Sequence, residues 1–206
     1  MSPDYLTLLS TVDDWFARGK ASAGPGVVPC ARGCNACCHG PFDVSPADAA
    51  LIAEGVAALP EEQRTALRAR AEKQLRRYTE LLPSWRAPFE VDALDEAAFD
   101  ALTEKLATAP CPALVEDGGC AIHAHRPATC RLTGLSLRGR AGEVLENFCP
   151  IQDQFPAYAA LPPTEFDLQA FEVEAARFDA QATAAGHAST TVAGAIALSP
   201  NCRTGP

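Results

Sequence analysis

The chain has 206 residues, with nine cysteines, four histidines, one methionine and a formal charge of 17 − 26 = −9. That length suits one domain that buries a core without disulfide staples, and 48% hydrophobic with 21% charged residues argues against wholesale disorder. The acidic balance argues against a nucleic-acid-binding protein, which needs clustered Lys and Arg.

The opening MSPDYLTLLSTVDDWFARGK has no early basic residue, and Asp13 and Asp14 interrupt its apolar positions, so no signal peptide is predicted. Ser2–Pro3 reads as a helix start, with Leu6, Leu9, Val12 and Phe16 on one face and Gly24–Pro25–Gly26 as the break. Ser45–Pro46 with Asp48 repeats the capping pattern and opens a helix to about Ala58. A third helix starts at Pro60–Glu61–Glu62 and carries Leu67, Leu75, Tyr78 and Leu82; Pro83 and Pro88 end it. A fourth runs over 92–108 through Leu94, Ala98, Leu102 and Leu106.

Between Cys111 and Cys149 the pattern changes. Residues 113–115 and 120–123 read as a short hairpin about the turn Glu116–Asp117–Gly118–Gly119, and 132–137 with 143–148 as a second. Helical texture returns after Pro150, most clearly over 164–184 with Phe166, Phe171 and Phe178. The last 64 residues carry eight acids against two bases, which reads as a solvated acidic face. The fold expected is mainly α with a small β-hairpin patch (α+β), a single cysteine-cluster domain over 1–206. Its core is 30–150, flanked by helices at 2–19 and 150–185, with a loosely held tail at 186–206. Val192–Leu198, the longest weakly polar stretch, is far short of the ~20 residues that span a bilayer, so no membrane association is expected.

With no export signal predicted, the expected compartment is the cytoplasm, where clustered cysteines bind metal more often than they pair as disulfides. Cys30, Cys34, Cys37 and Cys38 follow a C-x3-C-x2-C-C spacing, four thiols within nine residues. Packing does not explain this, because a buried structural cysteine behaves as a small hydrophobe with no reason to cluster. Thiolates at these separations converge on a zinc ion or an iron–sulfur cluster, whether the segment is helical or a loop. The adjacent pair Cys37–Cys38 does not easily serve one tetrahedral ion; the two serve neighbouring centres, or one lies outside the coordination sphere, or they form a vicinal disulfide. Cys111, Cys120, Cys130 and Cys149 are dispersed, and only tertiary folding gathers them. Four and four suit two four-thiolate centres or one polynuclear site. Cys202 is left over as a tail thiol.

The run CARGCNACCHGPFDVSPADAALI, followed by CPALVEDGGCAIHAHRPATCR and NFCP, resembles the YkgJ-type CxxCxxCC family of zinc- or iron-chelating proteins. The family pattern pairs its cysteine block with a downstream block matched here by Cys120, Ile122, Arg126, Pro127, Cys130 and Arg131, with His123 where tyrosine is usual. The resemblance covers residues 30–150. It implies a thiolate-held zinc or iron centre, in one relative type an iron–sulfur (4Fe-4S) cluster in a lysine N-methylase.

Arg126 and Arg131, beside the thiolates, either offset the negative charge of the bound cofactor or pair with an acid and close the fold. His39, after the vicinal cysteines, is a candidate auxiliary ligand, His123 is more simply an aromatic replacement, and His125 and His187 are expected to be exposed. The spacing of 30–37 also matches radical S-adenosylmethionine enzymes, but no βαβα alternation is present and Ala36 stands where an aromatic is usual. No Gly-rich phosphate loop, HExxH or GxSxG occurs. The expectation is a metal-binding protein using zinc or iron for chelation or redox work, with an iron–sulfur enzyme or a structural zinc interaction module as alternatives.

Overall fold

A computed structural model describes residues 3–147 and 149–199. In chain order the elements are α1 (Pro3–Ala23), β1 (Asp43–Val44), α2 (Pro46–Ala57), α3 (Glu61–Leu81), α4 (Glu96–Lys105) and α5 (Ala128–Leu132). They continue with β2 (Leu137–Arg138), β3 (Val144–Leu145), α6 (Pro156–Ala159), β4 (Thr164–Glu165), α7 (Leu168–Ala184), β5 (Thr190–Thr191) and α8 (Val192–Ala197). The fold is mainly α with small β patches, as the sequence predicts. No helix among the described residues is long and apolar enough to cross a membrane.

The helix α1 buries Tyr5, Leu9, Val12 and Trp15, while Leu6 turns outward. The buried face is therefore rotated from the predicted one, because the two aromatics find polar partners inside. Tyr5 donates to Asp48 Oδ1 at 2.9 Å and Trp15 Nε1 donates to the Thr164 carbonyl at 3.3 Å. Ser2, read as the cap of this helix, lies outside the described residues.

Ser45 caps α2 as predicted, its Oγ accepting from the Asp48 amide at 3.3 Å. The reciprocal half of a capping box is missing, since the Asp48 carboxylate points inward to Tyr5 and Ala128. The helix α4 starts at Glu96 and not at 92, because Asp95 caps it by accepting from the Ala97 amide at 2.8 Å.

Two apolar cores form, and α2 is the wall between them. Ala49, Ile52 and Val56 face a core built with α3, α8, Trp85 and Phe89. Ala47 and Leu51 face a second, built with α1, α7, Leu137 and Tyr158. In that second core Phe166 sits 5.6 Å from Trp15 and 5.8 Å from Phe171, ring centre to ring centre.

The stretch after Gly186, expected to be loosely held, is instead packed into the core over residues 190–196. Strand β5 pairs antiparallel with β1 (Asp43↔Thr191, Val44↔Thr190), and Val192 to Ile196 of α8 are all buried against α2 and α3. Small side chains let this short helix approach closely, and six residues are too few for periodicity to reveal it. Residues 164–165, predicted as helix, form β4, parallel to β2, and β2 pairs antiparallel with β3 in the second predicted hairpin. That hairpin begins only at Leu137, since Leu132 ends α5.

Candidate metal centre

The first cysteine block lies on the loop between α1 and β1, not on a helix. Two consecutive tight turns shape it: the Cys34 amide donates to the Ala31 carbonyl and the Cys38 amide to the Asn35 carbonyl, both at 2.9 Å. Gly33 occupies the third position of the first turn at φ +89°, where a side chain would strain the backbone. Lys20, in the last turn of α1, donates to the Cys30 carbonyl and anchors the start of the loop.

The second block docks on the first through its backbone. The Cys111 amide donates to the Cys38 carbonyl at 2.9 Å and the Gly40 amide to the Ala109 carbonyl at 2.7 Å, around a bridge between His39 and Pro110. The first predicted hairpin closes as a single antiparallel bridge, Leu114 with Cys120. Its turn presses on the cysteine loop: a Cβ on Gly118 would stand 2.8 Å from the Gly33 carbonyl oxygen. Cys130 is carried by α5, whose first amide, on Ala128, donates to both Asp48 carboxylate oxygens at 3.1 Å.

Cys30, Cys34, Cys37, Cys38, Cys111, Cys120, Cys130 and Cys149 are all free thiols, so neither the vicinal disulfide nor any other pairing is formed among them. Burial pushes the Cys30 thiol up to about 11, with Cys34, Cys149 and Cys37 adding repulsion and Lys20 opposing it. Burial likewise takes Cys111 up to about 11, with Cys120 adding to it. The Cys130 thiol is raised by burial and then by Cys111, Cys120 and Cys37. Cys37 is raised chiefly by its hydrogen bond with Cys38 and then by burial. These thiols are neutral neighbours that crowd one another. Among the described residues no three His, Cys, Asp or Glu side chains have closed to metal-holding geometry. The donor set still fits a soft cation: the thiols of Cys30, Cys111, Cys120 and Cys130 are disfavoured as anions chiefly by burial, a bias that a dication reverses.

Both guanidiniums turn to Asp13. Arg126 Nη2 meets Asp13 Oδ1 at 2.7 Å and Arg131 Nη1 meets Oδ2, with Arg131 also donating to the Arg126 and Ala124 carbonyls. Arg126 still lies close enough to Cys37 and Cys120 to favour their thiolates, so it both closes the fold and faces the donors. His123 is exposed and its Nε2 is 2.8 Å from Arg126 Nη1; burial and the two arginines disfavour its charged form. His125, expected at the surface, is half-buried because Gly55 of α2 leaves it room: a Cβ there would meet the His125 Cβ at 2.6 Å. His187 is half-buried too, and His39 serves in the backbone bridge. Cys202 lies outside the described residues.

Sequence reasoning missed four residues that shape the site. Asp13 appeared only as an interruption of an apolar face, and Asp48 only as a cap. Asn147 Oδ1 accepts from the Cys149 amide at 2.9 Å, and its Nδ2 donates to Tyr158 Oη at 2.8 Å and to the Gly134 carbonyl at 3.2 Å. Tyr158 in turn donates to that same carbonyl. An Asn two residues before a cysteine was the available signal for this clamp; Tyr158 gave none.

Free cysteines from two distant blocks, carried on loops and on α5 of a helical scaffold, place the chain among cysteine-cluster domains. A family model described as "CxxCxxCC: Putative zinc- or iron-chelating domain" matches residues 29–150, and the chain belongs to that family. No curated protein and no solved structure matches the chain.

Proposed function

We propose that the protein chelates zinc or iron in a reducing compartment, using the thiolates of Cys30, Cys34, Cys37, Cys38, Cys111, Cys120, Cys130 and Cys149. The observation that carries this is the backbone docking of the two blocks, Cys111 amide to Cys38 carbonyl at 2.9 Å, which makes neighbours of residues 73 apart in the chain (111 − 38). Thiolates select both metals, and the iron form of this reading is an iron–sulfur cluster such as 4Fe-4S. The protein's own part is to gather the donors, offset their charge with Arg126, and hold Arg126 and Arg131 in place through Asp13. Chelation is preferred to enzymatic use because a groove of about 490 Å³ between α1 and α7 is lined by Leu8, Phe166 and Phe171 and has no cysteine on its walls.

The test is elemental analysis with absorbance after anaerobic purification. Near-stoichiometric zinc in a colourless protein, or iron with visible charge-transfer bands, is expected. Protein that carries neither and takes up neither on anaerobic reconstitution overturns the proposal.

A further inference from the structure

The segments that flank residues 29–150, the part matched by the family model, build a surface of their own. Trp15 of α1 sets its ring 5.6 Å from Phe166 and donates from Nε1 to the Thr164 carbonyl, which draws α1, β4 and the start of α7 together. Between them runs the groove of about 490 Å³, and every residue lining it falls within 8–18 or 165–174. On each helix the lining positions lie three or four apart, from Leu8 to Arg18 on α1 and from Ala170 to Glu174 on α7, so each offers one stripe along its length. Ten residues of α1 rise about 15 Å, nearly three helical turns.

The apolar part of the lining is Leu8, Phe166 and Phe171. Around it stand four carboxylates, Asp14, Glu165, Asp167 and Glu174, against the single base Arg18. Asp167 and Glu174 reach Arg140 and Arg177 at 3.0 Å, but those arginine side chains are 80% and 71% exposed, and surface pairs of this kind hold weakly. Asp14 and Glu165 are exposed and make no hydrogen bond or ion pair among the described residues.

We propose that this groove docks a basic amphipathic helix of a partner protein, about three turns long. Its apolar face meets Leu8, Phe166 and Phe171, and its lysines or arginines meet Asp14 and Glu165 at the rim. A second copy of this chain fits less well, because each copy carries a formal charge of −9. No cysteine lines the groove, so docking and chelation stand or fall separately.

The test is fluorescence anisotropy of the reduced full-length chain with a labelled peptide of leucine and lysine, about 15 residues long and with its leucines at helical spacing. A leucine–glutamate peptide of the same pattern and a leucine–lysine peptide of scrambled order are the controls. Wild type should bind the patterned basic peptide at least about tenfold more tightly than either control, and Asp14→Lys combined with Glu165→Lys should remove that margin. Both positions are exposed, so circular dichroism should show the fold retained. Glu80→Lys combined with Glu104→Lys makes the same change of net charge at exposed positions on α3 and α4 and should leave the margin intact. A scrambled peptide that binds as tightly as the patterned one, or equal weakening by both double variants, overturns the groove assignment in favour of general surface acidity. A dimer seen by light scattering in wild type and lost in the groove variant makes a second copy the occupant and overturns the assignment to a partner protein.

Discussion

Asp48 offers a clean test of how the two cores are joined. Its carboxylate is 4% exposed, accepts from Tyr5 Oη at 2.9 Å and from the Ala128 amide at 3.1 Å, and so ties α1 and α5 to α2. Burial, the largest influence, raises it from 3.8 to about 6 despite those two hydrogen bonds. A folded-state value raised above the unfolded one gives stability that is complete below about pH 4 and is lost as pH rises through about 6. At roughly 1.4 kcal/mol per unit, two units amount to about 3 kcal/mol. Asp48→Asn cannot ionise, and its carboxamide oxygen can still accept from Tyr5 and Ala128. Urea unfolding of both proteins should therefore show the variant gaining about 3 kcal/mol on wild type between pH 4 and pH 7. Taking the difference cancels the titrating groups that do not interact with Asp48. Parallel stability curves across that range, or a wild type that gains on the variant as pH rises, would refute the reasoning.

Three further substitutions probe the surrounding structure. Asp13→Ala leaves the guanidiniums of Arg126 and of Arg131, whose side chain is only 6% exposed, without a carboxylate. Chemical denaturation should show a loss of about 2 kcal/mol, below the usual penalty for a fully buried pair because Asp13 is itself part-exposed. Gly134→Ala places a Cβ 2.9 Å from the Phe16 ring and 3.3 Å from Cys30 Sγ at φ +117°, so a loss above about 1 kcal/mol is expected, with reduced metal content by elemental analysis. Ile196→Ala removes a side chain with 0% exposure from α8 and should cost about 2–5 kcal/mol by equilibrium unfolding; a loss under about 1 kcal/mol would mean that α8 is not packed as described.

The helices were legible where they were long and their starts chemically marked, as at Ser45–Pro46 and Pro60–Glu61. Short elements were not, because α8 and the two-residue strands carry no periodicity of their own and are defined by what they pack against. The same division holds at the site. Thiol clustering is a compositional fact and could be read directly, down to the eight candidate ligands. Where each thiol comes to rest depends on which core its loop packs against, and spacing along the chain is silent about that. Cys149 shows the difference: its interval assigns it to the second block with Cys130, whereas it packs against the same core as Cys30. Leu6 shows it for α1, where two aromatics with polar handles outcompeted an aliphatic stripe.

The docking of late residues onto an early loop also has a temporal meaning. Cys111 follows Cys38 by 73 residues (111 − 38), which is roughly 4 to 15 s of synthesis at ~5–20 residues per second. During that interval the four thiols of the first loop exist without Cys111, Cys120, Cys130 or Cys149, and without the Asn147–Tyr158 clamp. A nascent chain in that state is a dense, unshielded dithiol target for oxidants and for stray metal. Keeping those four thiols reduced thus depends on the surroundings of the growing chain until the second block has been made.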